Sequence, residues 1–373
     1  MSIDIINLAA PGIAGLPTYK PGKSAEEVGR ELGLQHVIKL ASNENSLGPS
    51  ARVLTALADG SFDLCRYPDG SGAALKRALA DYHGITPAQI TLGNGSNDVL
   101  ELAARCIVTN AHEVIYSENA FIVYHLATHS IGATPVVIPT REHKHDLTAM
   151  VDAVTARTRL IFLDNPGNPT GSWIDRAQLR AFLEAVPENV IVVVDEAYYE
   201  YGASLRADYP NSIEYLPDFP NLVTTRTFSK AYGLAGLRVG YAVSHPELAD
   251  LMNRVRQPFN VNTLALLAAE VALQDQEHLR RGVALNAQGM ADLTAAFARL
   301  GLNWFESIAN FVSFDLGRPA HAVYQALLHE GVVVRPIVEY GLPDHLRVTI
   351  GQEHENTMFV KALEKVLEAG NAA

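Results

Sequence analysis

The sequence predicts an α/β protein with a large, mostly parallel β-sheet covered by helices, followed by a smaller α+β domain. Short strand-like and helix-like patterns alternate from about residue 113 to residue 225. The strands, such as residues 190–194 (VIVVV), are apolar throughout, which is typical of a sheet that helices cover on both faces. After about residue 255 the pattern changes to long helices and then to mixed strands and helices.

The N-terminal part predicts an irregular segment, a short strand and a helix. Residues 1–35 are irregular and then helical, because Ser24 is a suitable N-cap for the apolar and charged pattern that follows. A short strand within residues 38–45 breaks into polar residues, which also suit an ordinary turn. A loop rich in glycine and proline at 66–72 precedes an amphipathic helix at 73–82.

A strand at 89–92 leads into the glycine turn Gly93–Asp98 and a helix at 99–108. Such a junction presents backbone N–H groups and the positive end of the helix dipole, which suit a phosphate group. Glycine turns before helices are common, so this pattern alone also suits a plain connection.

The alternating region continues in the same order along the chain. Its predicted strands are 113–117, 134–138, 159–163, 190–194 and 222–225, and its predicted helices are 121–131, 146–156 and 175–185. Ligands gather at the carboxyl ends of the strands in such sheets. Polar residues follow four strands there: Gly95–Asn97, Asp164–Gly171, Asp195–Tyr198 and Ser229–Lys230. The sequence therefore predicts one site at this edge of the sheet.

The C-terminal part predicts the smaller domain. Its expected helices are 261–274, 277–300, 319–330 and 355–369, and its expected strands are 311–315, 332–335 and 346–350. We expect residues 36–255 to form the large domain, residues 256–373 to form the small domain, and residues 1–35 to join the small domain.

Composition limits the possible partners. The 373 residues include 48% hydrophobic residues and carry a net charge of −12 with no basic block, which disfavours nucleic acid and anionic membranes. Cys65 and Cys106 form neither a disulfide framework nor a pair with metal-ligand spacing. No apolar run approaches the roughly 20 residues that span a bilayer. We therefore expect a soluble cytoplasmic protein without a metal site.

The stretch 221–243 carries the clearest chemical signal, with Lys230 between two apolar runs. A lysine sheltered by apolar neighbours has a lowered pKa, so its neutral amine becomes a nucleophile towards carbonyl groups. Thr227, Ser229 and Arg238 together suit a phosphate. The alternative interpretation is a solvated loop lysine and a surface ion pair.

Motifs along the chain resemble known families. Residues 165–171 (NPGNPTG), 195–198 (DEAY) and 229–238 (SKAYGLAGLR) resemble the fold-type I pyridoxal-phosphate aminotransferases. More narrowly, four segments resemble the histidinol-phosphate aminotransferase family: 40–45 (LASNEN), 66–68 (RYP), 93–96 (GNGS) and 345–351 (HLRVTIG). The similarity covers nearly the whole chain, with the motifs in the family's order.

The resemblance implies a role for each matching residue. Lys230 would bind pyridoxal 5′-phosphate covalently and transfer a proton, and Asp195 would keep the pyridine nitrogen protonated. Asn168 and Tyr198 would hydrogen-bond the phenolic oxygen, and Phe121 would stack on the ring. The residues implied for the phosphate are Ser96, Asn97, Thr227, Ser229, Arg238 and, from the partner subunit of a homodimer, Tyr67.

The same resemblance implies substrate contacts and a reaction. Arg347 and Arg335 would bind substrate anions, Asn45 lies in a substrate-binding motif, and Tyr19 would cover the pocket. Structural roles remain open for several of these residues: Tyr198 and Phe121 also suit a core, Tyr19 an ordinary loop and Arg335 an ion pair. The implied reaction transfers an amino group from L-histidinol phosphate to 2-oxoglutarate in histidine biosynthesis.

Alternative reactions remain open. They are transamination of phenylalanine or tyrosine, a specialised-pathway transamination, and decarboxylation or elimination with the same cofactor. The sequence also departs from the family at two positions, because Gly167 stands where asparagine is usual and Ser46 where proline is usual. These departures affect expectations for the shape of the loop and pocket more than for cofactor binding.

Overall fold

The computed structural model describes residues 5–10, 12–16, 18 and 22–371. Their α-helices are α1 Ala25–Leu32, α2 Ala51–Asp59, α3 Ala73–His83, α4 Ser96–Ile107, α5 Ile122–Ile131, α6 Leu147–Asp152, α7 Arg176–Ala185, α8 Tyr199–Leu205, α9 Pro246–Val255, α10 Thr263–Gln274, α11 Gln276–Leu300, α12 Ala320–His329 and α13 Glu353–Asn371. Their β-strands are β1 Ile38–Lys39, β2 Ile90–Gly93, β3 Glu113–Ser117, β4 Thr134–Ile138, β5 Thr158–Asp164, β6 Ile191–Asp195, β7 Leu222–Thr227, β8 Gly240–Ser244, β9 Asn303–Trp304, β10 Phe311–Asp315, β11 Val332–Val333, β12 Arg335–Ile337 and β13 Leu342–Thr349.

The central sheet has seven strands in the order β2, β8, β7, β6, β5, β3, β4. Strand β8 is antiparallel to both of its neighbours, and the other neighbouring pairs are parallel. The predicted α/β class with a mostly parallel sheet is therefore confirmed. The apolar run that follows Arg238 in the sequence forms β8, which lies between β2 and β7.

Two hydrophobic cores lie on opposite faces of this sheet. On β6, Val192 and Val194 belong to one core and Val193 belongs to the other, because successive side chains point to opposite faces. All three side chains are fully buried. The uniformly apolar strand sequence thus follows from burial on both faces, and it leaves the strand ends as the place for polar groups.

A second group of strands lies towards the C-terminus and forms the small region, whereas the central sheet and the helices packed on it form the large region. Strands β12, β13, β10 and β9 form an antiparallel sheet, and β1 pairs in parallel with β11. The long helix α11 contacts both regions, since Val283 belongs to a core of the central sheet and Phe297 to the core of the small sheet. Helix α10 packs on α2 and α3 of the large region. The division into residues 1–35, 36–255 and 256–373 stays a prediction.

Local signals explain most helix boundaries. Ser24 caps α1 in a capping box with Glu27, as its position in the sequence predicts. Helix α6 ends at Asp152, earlier than predicted, ahead of the β-branched residues Val154 and Thr155. Helices α2, α8 and α9 were not predicted, although Ser50 caps α2 and Pro246 begins α9. Among the described residues, no helix combines the length and apolar character needed to cross a membrane.

Candidate active site

A cavity of about 220 Å³ lies at the carboxyl ends of the central strands and extends towards the small sheet. It brings together most of the residues singled out in the sequence. Those that line it are Ser96, Asn97, Phe121, Asn168, Asp195, Tyr198, Thr227, Ser229, Lys230, Arg238, Arg335 and Arg347. The predicted meeting of four strand ends at one site is therefore present in the structure.

Lys230 lies just after β7 and faces this cavity. Its Nζ donates a hydrogen bond of 2.9 Å to the carbonyl oxygen of Ser42. Burial, and secondarily the positive charge of Arg347, lowers the pKa of Lys230 to about 7. A substantial fraction of this lysine is therefore a neutral amine near pH 7, which is the form that attacks a carbonyl group.

Asp195 is the last residue of β6 and is 3% exposed. Its Oδ1 accepts a hydrogen bond of 2.8 Å from the Thr225 hydroxyl, and its Oδ2 accepts one of 3.1 Å from the Tyr124 hydroxyl. Burial raises the pKa of Asp195 to about 7. A buried carboxylate supported by two hydroxyl groups is suited to a cationic ligand, because a positive charge offsets the desolvation of the carboxylate.

A glycine turn lies between β2 and α4. Gly95 has φ of 87°, and a Cβ at this position would lie 2.4 Å from Nη2 of Arg238. Helix α4 begins at Ser96, three residues earlier than predicted, so its N-terminal amides face the cavity. Arg238 also donates to the Ser229 hydroxyl at 3.3 Å. The turn therefore combines a guanidinium, hydroxyl groups and a helix N-terminus, which suit a phosphate.

Two arginines of the small region close the other side of the cavity. Nη1 of Arg347, on β13, donates to Oδ1 of Asn168 at 2.6 Å, and Nη2 donates to the carbonyl oxygen of Ala41 at 2.8 Å. Arg335, on β12, forms an ion pair with Glu339 and also lines the cavity. Two guanidinium groups in one cavity are suited to form charge-assisted hydrogen bonds with anionic groups of a substrate.

The structure adds Asn43, which sequence reasoning interpreted as part of a turn. Its side-chain amide donates a hydrogen bond of 2.9 Å to the hydroxyl of Tyr198. Asn43 is 1% exposed and has φ of 55°, a left-handed conformation that asparagine tolerates better than most residues. Two asparagines in the short segment 43–45 were a weak signal, because asparagine is common in turns.

A buried contact between His145 and Asp164, beside Asp195, was also missed. Oδ2 of Asp164 accepts a hydrogen bond of 2.8 Å from the backbone N–H of Asn168. Oδ1 of Asp164 lies 3.3 Å from Nε2 of His145, and the Ser117 hydroxyl lies 2.6 Å from Nδ1 of the same ring. Burial lowers the pKa of His145, but Asp164 outweighs this effect and raises it overall. The pair fixes the loop that carries Asn168.

Two predicted residues within the described part of the chain, Asn45 and Tyr67, do not line this cavity. The Asn45 amide donates to the carbonyl oxygen of Ala231 at 2.8 Å, so its observed role is to hold a turn. Tyr67 is 81% exposed and stacks on Phe259 with ring centroids 4.6 Å apart. Tyr19 lies outside the described residues. Cofactor and substrate contacts for these residues stay predictions.

The two departures from the family motifs have different surroundings. Gly167 has no positive φ, and a Cβ there would lie 3.4 Å from the hydroxyl oxygens of Ser172 and Thr170, so the loop does not require glycine. Its N–H donates to the carbonyl oxygen of Ser172 at 2.8 Å, which keeps the loop ordered. The hydroxyl of Ser46 is buried and has no hydrogen-bond partner among the described residues.

The residues around the cavity fit pyridoxal phosphate at three points. Lys230 is an amine with a lowered pKa, Asp195 is a buried carboxylate suited to a pyridinium, and the turn at Gly95 lies against the guanidinium of Arg238, which suits an anion. Together, these groups suit the aldehyde, ring nitrogen and phosphate of the cofactor. The fold and site are those of a pyridoxal-phosphate-dependent enzyme.

The chain belongs to the aminotransferase class I and II family, whose sequence model matches residues 35–363. It is 55% identical to histidinol-phosphate aminotransferase 1 of Nitrosococcus oceani, over 97% of this chain and 97% of that protein. It is 53% identical to histidinol-phosphate aminotransferase 1 of Idiomarina loihiensis, over 97% and 98% of the two chains. The resemblance stated from the sequence motifs is confirmed.

A solved structure agrees with these sequence relatives. The crystal structure of histidinol-phosphate aminotransferase from Sinorhizobium meliloti in complex with pyridoxal-5′-phosphate superposes with a TM-score of 0.88. The two proteins are 31% identical, and the match covers 97% of this chain and 98% of that chain. Similarity in fold therefore extends over nearly the whole molecule.

Proposed function

We propose that this protein transfers the amino group of L-histidinol phosphate to 2-oxoglutarate, giving imidazole acetol phosphate and L-glutamate, as a step of histidine biosynthesis. The observation that carries the proposal is the position of Arg347 and Arg335 in the same cavity as Lys230. A phosphate in one half-reaction and a carboxylate in the other both require such cations. The relatives named histidinol-phosphate aminotransferase, at 53% and 55% identity, support this choice of donor.

Residues of the large region hold the cofactor in this proposal. Ser96, Asn97, Thr227, Ser229 and Arg238 would hold its phosphate. Asp195 would keep the ring nitrogen protonated, and Phe121 would pack against the ring. Because Oδ1 of Asn168 already accepts from Arg347, Nδ2 of Asn168 would donate to the phenolic oxygen, as would the Tyr198 hydroxyl.

Lys230 carries out the proton transfer. The bound pyridoxal phosphate supplies the electron sink for this chemistry. With the cofactor bound, the Nζ of Lys230 would hold and move the proton that is removed from the amine-bearing carbon of the substrate. A pKa of about 7 suits both steps, because the amine accepts and releases a proton with similar ease near neutral pH.

We also propose a cytoplasmic homodimer with shared active sites. Tyr67 and Phe259 form a stacked pair that is exposed in the single chain, and Leu64 nearby is 79% exposed. Large apolar side chains exposed together suit a protein interface. In such a dimer, Tyr67 reaches the cofactor phosphate of the partner subunit, which explains its position outside the cavity of its own chain.

The amine donor is tested by titrating the purified enzyme with L-histidinol phosphate, phenylalanine and tyrosine while the absorbance of the Lys230-bound cofactor is followed. We expect L-histidinol phosphate to convert the cofactor at the lowest concentration, and 2-oxoglutarate to restore the original absorbance. Conversion by phenylalanine or tyrosine alone would instead identify an aromatic amino-acid aminotransferase.

The cofactor linkage is tested separately by borohydride reduction and peptide mapping. We expect the label on the peptide that contains Lys230, and none in a Lys230→Ala control. If donors cause no conversion to the pyridoxamine form while the label is present, the same site carries out decarboxylation or elimination rather than transamination.

A further inference from the structure

We propose that Asn43 is a positioning residue that directs the hydroxyl proton of Tyr198 towards the bound cofactor. The inference rests on the proposed function, in which Tyr198 donates to the phenolic oxygen of pyridoxal phosphate. It adds a residue outside the motif that contains Tyr198, and it assigns that residue a defined hydrogen-bonding direction.

Asn43 lies where the small region meets the cavity. Its backbone carbonyl accepts a hydrogen bond of 3.0 Å from the Asn310 amide, so the main chain is held in the left-handed conformation. Its side-chain amide reaches the Tyr198 hydroxyl at 2.9 Å. Both side chains are buried, which makes this hydrogen bond stronger than one exposed to water.

A neighbouring hydroxyl group supports the direction of this hydrogen bond. The backbone N–H of Asn43 donates to Oγ1 of Thr349 at 2.9 Å, and a backbone N–H can only donate. The Thr349 hydroxyl proton is therefore available to Oδ1 of Asn43, which lies 3.3 Å away. With Oδ1 turned to Thr349, the NH₂ group of Asn43 faces Tyr198.

The phenolic oxygen of Tyr198 is consequently an acceptor for Asn43. A tyrosine hydroxyl has one proton, and Asn43 does not receive it. The Tyr198 side chain lines the cavity, so its proton is directed there, where the phenolic oxygen of the cofactor lies in the proposed function. An amide that faced the other way would accept this proton and remove the donor from the cofactor.

The same network joins the substrate side to the cofactor side. Thr349 follows Arg347 by two residues on β13, so the two side chains lie on one face of the strand. Arg347 contacts Asn168, and Thr349 fixes Asn43. One strand thus supports both groups that donate to the cofactor's phenolic oxygen.

Charged and titratable groups near the Tyr198 side chain come from several parts of the fold. They are Arg347 on β13, Asp195 on β6, Lys230 after β7, Tyr340 just before β13, Tyr124 on α5 and Tyr201 on α8. None of these groups is altered by a substitution at Asn43 or Thr349. A change in the cofactor's titration in such variants therefore reports on the hydrogen bond rather than on a new charge.

The test is the pH midpoint of the absorbance change of the Lys230-bound cofactor. Asn43→Gly removes the amide while tolerating the left-handed backbone. We expect its midpoint to rise by roughly half to one pH unit, because a hydrogen bond donated to the phenolate oxygen stabilises the deprotonated form. Thr349→Val is expected to shift the midpoint upward by less, and Thr349→Ser to leave it near the wild-type value.

A double variant tests whether Asn43 changes the pH midpoint through the Tyr198 hydroxyl. In a Tyr198→Phe background, Asn43→Gly is expected to cause no further shift, because Asn43 acts through the Tyr198 hydroxyl. An equal shift in both backgrounds, or an unchanged midpoint in Asn43→Gly with bound cofactor, overturns the inference. A wild-type protein that shows no Lys230-bound absorbance overturns the proposed function as well, so the two failures are distinguishable.

Discussion

Lys230 and Asp195 face one cavity, and burial moves the pKa of each towards 7 from opposite directions. In its charged form, each group therefore destabilises the folded protein, because its hydrogen bonds do not fully offset the loss of solvation. A cofactor that forms a bond with the amine and brings a cation to the carboxylate removes both costs. The two residues thus prepare the cavity for one particular ligand.

Without cofactor, the two residues predict a pH-dependent stability. The folded pKa of Lys230 is about 7 against 10.5 for an ordinary lysine, so its destabilising effect is complete below about pH 7 and disappears as pH rises towards 10.5. Lys230→Met is expected to raise the melting temperature of the cofactor-free protein by roughly 2–5 °C at pH 6.5. The gain should be smaller at pH 9.5, as measured by calorimetry.

An exposed lysine of α13 provides the matched control. Lys361→Met removes the same charge and adds the same side chain on the surface, so it should change the melting temperature little at either pH. Asp195→Asn has the opposite pH dependence, because the pKa of Asp195 is raised from 3.8 to about 7 and its cost appears only as pH rises through this range. Equal gains for Lys230→Met at both pH values would contradict the prediction.

At the scale of elements, the turn between β2 and α4 depends on a close approach to Arg238. Gly95→Ala places a methyl group 2.4 Å from the guanidinium and imposes a positive φ of 87° on alanine. We expect cofactor affinity to fall by roughly tenfold or more, since displacement of Arg238 weakens a charge-assisted hydrogen bond to the phosphate. Fluorescence titration of the cofactor-free protein with pyridoxal phosphate measures this affinity.

Gly236→Ala is the appropriate control for this substitution. Gly236 lies in the same connection as Arg238 and has no positive φ, and a Cβ there would have no atom of the described residues within 4 Å beyond its chain neighbours. Its substitution should leave cofactor affinity within about twofold of the wild-type value. A comparable loss of affinity in both variants would mean that the effect of Gly95→Ala is not specific to the phosphate turn.

The sequence predicted those elements that a local capping residue or a periodic apolar pattern specifies. The strand at 190–194 was recognisable because burial on both faces leaves only apolar residues, and Ser24 marked the start of α1. Asn43 and the Asp164–His145 pair were not predicted, because their roles arise from contacts between residues distant in the chain. The early start of α4 was missed because Ser96–Asp98 also suits a loop.

At the scale of the whole molecule, the proposed shared site predicts complementation between two defective variants. Tyr67→Ala is expected to impair cofactor phosphate binding, and Lys230→Ala to abolish activity. In a mixed dimer, the site with an intact Lys230 receives an intact Tyr67 from the partner subunit. We therefore expect activity to reappear when the two variants are co-expressed, measured as transamination above the level of either variant alone.

Subunit composition must be controlled in this experiment. Differently tagged variants allow the mixed dimer to be isolated and its activity compared with those of the two parent dimers. Activity confined to the level of the parents, in a mixed dimer with bound cofactor, would show that Tyr67 does not contribute across the interface. A monomer by light scattering would contradict the proposed assembly itself.

The pairing of β1 with β11 has a consequence for how the chain is made. All seven strands of the central sheet have left the ribosome once residue 244 has been translated and cleared the exit tunnel. Strand β1 (Ile38–Lys39) cannot pair until Val332 and Val333, nearly 300 residues later in the chain, have also been synthesised. The side of the cavity that contains Asn43 can therefore form only near the end of synthesis. The central sheet, which positions Lys230, can form earlier.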